Sequence, residues 1–215
     1  MTPDEIEQHF TNSDGTYHFA RWGRPVVPVV FGVNDETLSI VKGAIEAVVT
    51  LAGHKMAETD AELGANLMMF FFREWDELLQ VPKLDEMIPD LARVVERLKA
   101  ADGQQYRAFR FDNNGSIQAC FVFIRMGGAM ADLPAETLAL GQAVQAILLW
   151  SEAAFATRSP LAVLPDNGAV ILRPEIAALV RAAYDPVMPV AAEDKSHALR
   201  LFARIGAMDE PQNLS

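Results

Sequence analysis

Ala65-Asn-Leu-Met-Met-Phe-Phe-Phe72 constrains this chain more than any other stretch. A strand with one face in water alternates apolar and polar residues. This run has no polar residue after Asn66, so it reads as a strand covered on both faces. Such a strand needs a layer of structure on either side. Upstream, Arg24-Pro-Val-Val-Pro-Val-Val-Phe31 is rich in β-branched residues, but Pro25 and Pro28 lack a backbone donor, which places it at a sheet edge. Between the two, Leu38, Val41, Ile45, Val48, Val49 and Ala52 recur at helical spacing, with Asn34 or Asp35 as cap and Gly53 as stop. A strand–helix–strand unit of this length joins parallel neighbours through a right-handed crossover.

Downstream, Trp75 to Leu79 reads as a short helical turn and Leu84 to Ala101 as one amphipathic helix with Ile88, Leu91, Val94, Val95 and Leu98 on its apolar face. Tyr106–Phe111 and Ser116–Arg125 flank the turn Asp112-Asn-Asn-Gly115 and predict a hairpin. The apolar stretch 134–155 reads as a long central helix. Residues 159–168 read as a loop, 175–184 as a helix opened by Pro174, and 192–204 as a last helix. Asp4–Phe10 forms a short helix, while 1–18 and 207–215 are expected to be peripheral. The whole predicts a single α+β domain with a mixed sheet of about four to five strands packed with helices.

The net charge of −11 argues against a nucleic-acid partner, which needs Lys and Arg to displace counterions. No apolar run approaches the length of a membrane helix. The acidic N-terminus, Met-Thr-Pro-Asp-Glu-Ile, is not a signal peptide, which predicts a cytoplasmic location. Cys120 is the single cysteine and lies within a strand, so no internal disulfide forms and an inert buried thiol is expected.

The usual catalytic equipment is missing. The four histidines, His9, His18, His54 and His197, are never three or four apart, so no zinc site, and no cofactor, is expected. No Gly-x-Ser-x-Gly elbow and no phosphate loop are present. Ser151 stands beside Trp150 and Glu152, but neighbours on a helix do not face one another. Glu136 and Glu152 are too far apart to act on one centre. No catalytic residue is expected. Gln142 and Gln145 are three apart on an otherwise apolar helix and share a face. They are either a polar stripe bonded to nearby backbone or the remains of a cleft. Trp75 and Trp150 either pack in the core or line a pocket. His54 suits a helix C-terminus. The candidate binding residues are therefore Gln142, Gln145, Trp150, Glu152 and His54.

Phe19-Ala-Arg-Trp-Gly-Arg-Pro-Val, Gly64-Ala-Asn-Leu, the helix with Gln142 and Gln145, and Ala183-Tyr-Asp-Pro186 occur in an order that resembles the proteobacterial family called domain of unknown function 2927. The likeness spans roughly residues 19–204. It implies a layout related to zinc metallopeptidases (zincin-like), with a strand, helix and edge strand before the helix that would bear the active site. In that family a Glu-Glu pair followed by a Gln is typical. Gln145 matches the Gln, Ala143 and Val144 stand near the acids, and Ser159 matches a loop serine. Family members are often exported or lipid-anchored. The chain resembles a divergent member, to which no catalytic residue transfers; the lack of a ligand triad, of a nucleophile with a base and of a phosphate loop predicts a non-catalytic protein acting through a protein partner or self-association as a homo-oligomer. The competing reading is an atypical hydrolase or small-molecule binder with a cleft along the helix 134–155.

Overall fold

The computed structural model describes residues 1–209. The elements run α1 (Pro3–Phe10), β1 (Phe19–Ala20), β2 (Pro28–Phe31), α2 (Asp35–Leu51), β3 (Leu67–Phe72), α3 (Leu84–Met87), α4 (Leu91–Ala100), β4 (Gln105–Phe111), β5 (Ile117–Arg125), α5 (Ala135–Ile147), β6 (Leu161–Val163), β7 (Val170–Leu172), α6 (Pro174–Ala183), β8 (Ala191–Ala192) and α7 (Ser196–Asp209). A 3-10 turn, Trp75–Gln80, follows β3. The fold is α+β. Its four-stranded mixed sheet has the order β2-β3-β5-β4, with β2, β3 and β5 parallel and β4 antiparallel. Two short pairs, β1–β8 and β6–β7, lie outside it.

The sheet is covered on both faces, as the run 65–72 requires. Leu67, Met69, Phe71, Cys120, Val122 and Ile124 join a core with α2, α5 and α6. Phe70, Phe72, Ala119, Phe121 and Phe123 join a second core with the 3-10 turn, α3 and α4. Ile117 belongs to the first core although strict alternation from Ala119 puts it in the second. Arg110 pairs with Ala119 and Phe111 with Ile117, so Gln118 is an extra, bulged residue that turns Ile117 over. At the opposite edge Gly32 ends β2 at φ +82°, where a Cβ would lie 1.9 Å from the Phe71 carbonyl oxygen. Asn34 then caps α2 by accepting from the Thr37 N–H at 2.8 Å.

Several expectations need correction. The helix 84–101 is two pieces. Pro89 pushes Ile88 out of the helical region, to φ −116° and ψ 104°, and α4 restarts at Leu91. The loop 159–168 contains β6, whose three residues are too few to show a period. The last helix begins at Ser196, because Ala191–Ala192 pair with β1. Residues 1–18 are not peripheral: Ile6 and Phe10 are fully buried and Tyr17 is buried too. The expected peripheral tail 207–215 begins inside α7, and its part beyond 209 lies outside the described residues.

Two buried polar groups hold the periphery to this frame. Asn66 is fully buried. Its Oδ1 accepts from the Val27 N–H at 2.8 Å, and its Nδ2 donates to the Pro25 carbonyl at 2.9 Å and to Asp60 at 3.0 Å. Asn66→Ala strands buried partners, each worth about 1–3 kcal/mol. Chemical denaturation is expected to show a loss of roughly 2–4 kcal/mol. His197 on α7 is buried and shares a 2.8 Å hydrogen bond with the Tyr17 hydroxyl. Burial, helped by Arg200, pushes its pKa from 6.5 down to about 4. The fold therefore favours neutral His197, and the stability it carries is full above pH 6.5 and is lost as pH falls through 4. Thermal midpoints measured across that window are expected to drop, and His197→Gln is expected to flatten part of the drop.

Candidate binding cleft

The last four carbonyls of an α-helix have no partner within the helix. In α5 three of them meet aromatic side-chain donors. Trp150 Nε1 donates to the Val144 oxygen at 2.8 Å, Trp22 Nε1 to Ala146 at 2.9 Å, and the Tyr184 hydroxyl to Ile147 at 2.8 Å. Helix and chain part company here. Leu148 is extended at φ −134° and ψ 158°, the Leu149 N–H donates to Ala20, and the Ser151 N–H donates to His9. The expected helix 134–155 thus ends at Ile147. Trp150 and Glu152 lie on the segment beyond it.

That segment and β4 form the walls of a cleft of about 760 Å³. Gln105, Tyr106, Arg107 and Phe109 line one side. Gln145, Leu149, Trp150 and Glu152 line the other. Three of the five sequence candidates, Gln145, Trp150 and Glu152, are therefore brought together. Gln145 is half-buried, and its Nε2 donates to the Gly141 carbonyl at 3.2 Å within its own helix. Trp150 stacks on Phe10, with ring centroids 5.4 Å apart, and meets Phe155 edge-on at 4.9 Å. It packs and lines the cleft at once. Trp75, by contrast, is buried in the second core, with Nε1 on the Gly103 carbonyl at 2.9 Å.

Gln142 is buried rather than open to the cleft. Its Oε1 accepts from Arg107 Nη2, and its Nε2 donates to Gln105 Oε1 at 3.0 Å. Arg107 Nη2 also donates to Gln105 Oε1 at 3.1 Å. A closed triangle of one cation and two neutral amides links β4 to α5. His54 is not among the cleft residues. It follows α2, with Nε2 on the Arg24 carbonyl at 2.8 Å and its ring 5.1 Å from that of Tyr184, and burial lowers its pKa.

Arg107 is the site residue that the sequence did not reveal. Opposite it on β5 is Val122, which points into the first core, so Arg107 faces the helices. The pattern Tyr106-Arg-Ala-Phe-Arg-Phe111 puts an aromatic residue and an arginine on each face, so the inward charge is not legible from alternation. Arg107 is half-buried, and loss of hydration pushes its pKa down to about 10. Nε is sealed from solvent with no acceptor.

The other reactive groups are engaged elsewhere. The Ser151 hydroxyl donates to the Gln8 carbonyl at 3.1 Å, and Ser159 accepts from the Leu161 N–H at 3.1 Å in a turn. Burial pushes the Cys120 thiol up to about 12. Among the described residues no group of three His, Cys, Asp or Glu side chains is placed to hold a metal ion. No helix among them is long and apolar enough to cross a membrane. No family model, curated protein or solved structure matches the chain.

The Tyr184 hydroxyl also accepts from the Trp22 N–H at 3.2 Å, so Tyr184→Phe orphans two buried backbone groups. Calorimetry is expected to register a loss of about 1–3 kcal/mol per group left unpaired. Trp150 emission is expected to shift as the segment after Ile147 loosens.

Proposed function

We propose that this chain is a non-catalytic binding protein whose cleft takes an extended segment of another protein as an added strand on β4. One observation carries this reading: β4 is a sheet edge that opens onto the cleft. The Arg125 N–H donates to the Gln104 carbonyl. In an antiparallel ladder, hydrogen-bonding residues alternate, so Tyr106, Ala108 and Arg110 turn their backbone groups to β5. Gln105, Arg107 and Phe109 turn theirs to the open edge. An incoming strand finds these donors and acceptors free, and side-chain pockets beside them set its sequence. Exposed edges invite pairing, and natural proteins use them for recognition or guard against it.

The resemblance to domain of unknown function 2927 supports the same reading. In a degenerate metallopeptidase-like layout, α5 takes the place of the active-site helix and β4 that of the edge strand beside it. The helix offers the buried amide of Gln142 where hydrolysis would need a metal ligand or a base. The cleft volume also suits a compact small molecule, which is the second reading.

Hydrogen exchange followed by NMR tests the reading in two steps. In the free protein the amides of Gln105, Arg107 and Phe109 are expected to exchange at least ten-fold faster than those of Tyr106, Ala108 and Arg110. A random nine-residue peptide library displayed on phage is then expected to yield binders that protect those three outward amides. Failure to select any peptide, or protection confined to another surface, would refute strand addition.

A further inference from the structure

We propose that Arg107 is a carboxylate receptor on the wall of the cleft, and that the segment bound there carries an acidic side chain laid against it. This deepens the strand-addition reading and rests on it for the identity of the ligand. A guanidinium removed from water is normally matched by a carboxylate, because an unpaired charge in a poorly hydrated site is costly. Arg107 has no such match. Its two hydrogen bonds both leave from Nη2 and both end on neutral amides, those of Gln105 and Gln142. Among the described residues no carboxylate pairs with it.

Two other arginines also leave a buried Nε without an acceptor, and both are compensated. Arg125 pairs with Asp102 at 2.5 Å. Arg21 lies 5.3 Å from the centre of the Tyr184 ring and donates to the Met188 carbonyl at 3.3 Å. Of the three, Arg107 alone lines the cleft, and besides its sealed Nε its Nη1 makes no hydrogen bond among the described residues, which leaves Nη1 as the donor for a group in the cleft. The charged residues lining that cleft are Arg97, Arg107 and Glu152. Arg97 and Glu152 offset one another, which leaves one positive charge in a chain of net −11. One carboxylate neutralises it. A phosphate dianion would overshoot it beside Glu152. The planar guanidinium also suits a two-oxygen anion of matching shape.

The test follows the Arg107 Nε–Hε resonance of the nitrogen-15-labelled full chain, assigned by its loss in Arg107→Gln. Sodium acetate is titrated against sodium chloride at equal ionic strength, with sodium phosphate as a third arm. A saturable acetate shift, absent with chloride, is expected. In peptides taken from the library selection, replacing the acidic residue facing Arg107 with its amide is expected to weaken binding at least ten-fold for the wild type and less than two-fold for Arg107→Gln. No acetate shift beyond the chloride control overturns the proposal, and a response to phosphate alone overturns the carboxylate assignment. The wild-type titration decides this even if Arg107→Gln folds poorly. An acetate shift with no peptide selected leaves the receptor standing and refutes strand addition. Selected peptides that bind equally well as acid and amide, with no acetate shift, do the reverse.

Discussion

Three hydrogen bonds at one end of one helix organise the cleft side of this molecule. Trp22, Trp150 and Tyr184 come from three distant parts of the chain, and each gives its polar hydrogen to a carbonyl near the end of α5. A helix end inside a core has no water to satisfy those carbonyls, so it needs partners built into the protein. Large aromatic side chains meet that need while filling space with apolar surface. The same three contacts fasten the N-terminal segment, the chain after α5 and the turn after α6 to one point. The segment 148–156 can therefore leave the helix and stand opposite β4, and the cleft exists because it does.

The cleft follows from a second constraint. The sheet ends at β4, so among the described residues one side of that strand has no neighbouring strand. On its inner face stands a cation held by two neutral amides. Closed to solvent and to any partner, such an arrangement would be a liability, since an apolar side chain would pack there without the desolvation cost. Arg107 lies on the cleft wall instead, where the carboxylate proposed above would supply the complement that the core withholds.

The sequence was most readable where one physical requirement acted alone. The run 65–72 had to be buried on both faces, and it is. The Asp112–Gly115 turn had to close a hairpin, and it does. Reading was poorer where two requirements competed. Between 84 and 101 an apolar stripe argued for one helix, and the steric demand of Pro89 on Ile88 won. Past Ile147 helical composition continued, but tertiary donors had already taken the carbonyls. Gln145, Trp150 and Glu152 were singled out as neighbours along one helix and are neighbours across a bend instead. Gln142 shared that reading and is buried beneath them. His54, whose spacing gave it no partner, has a structural hydrogen bond away from the cleft.

Local chemistry therefore determined the elements of this protein: which segments must be strands, where caps and turns fall, and that histidines suited to a zinc helix are missing. Those properties depend on neighbours a few residues away, and the sequence records them. The tertiary structure alone decided where α5 stops, which face of β4 looks inward, and that Arg107 meets no acid among the described residues. Each of those outcomes turns on contacts between separate elements, such as Trp22 with Ala146, Arg107 with Gln142 and β4 with β5, and a pattern of local period does not record them.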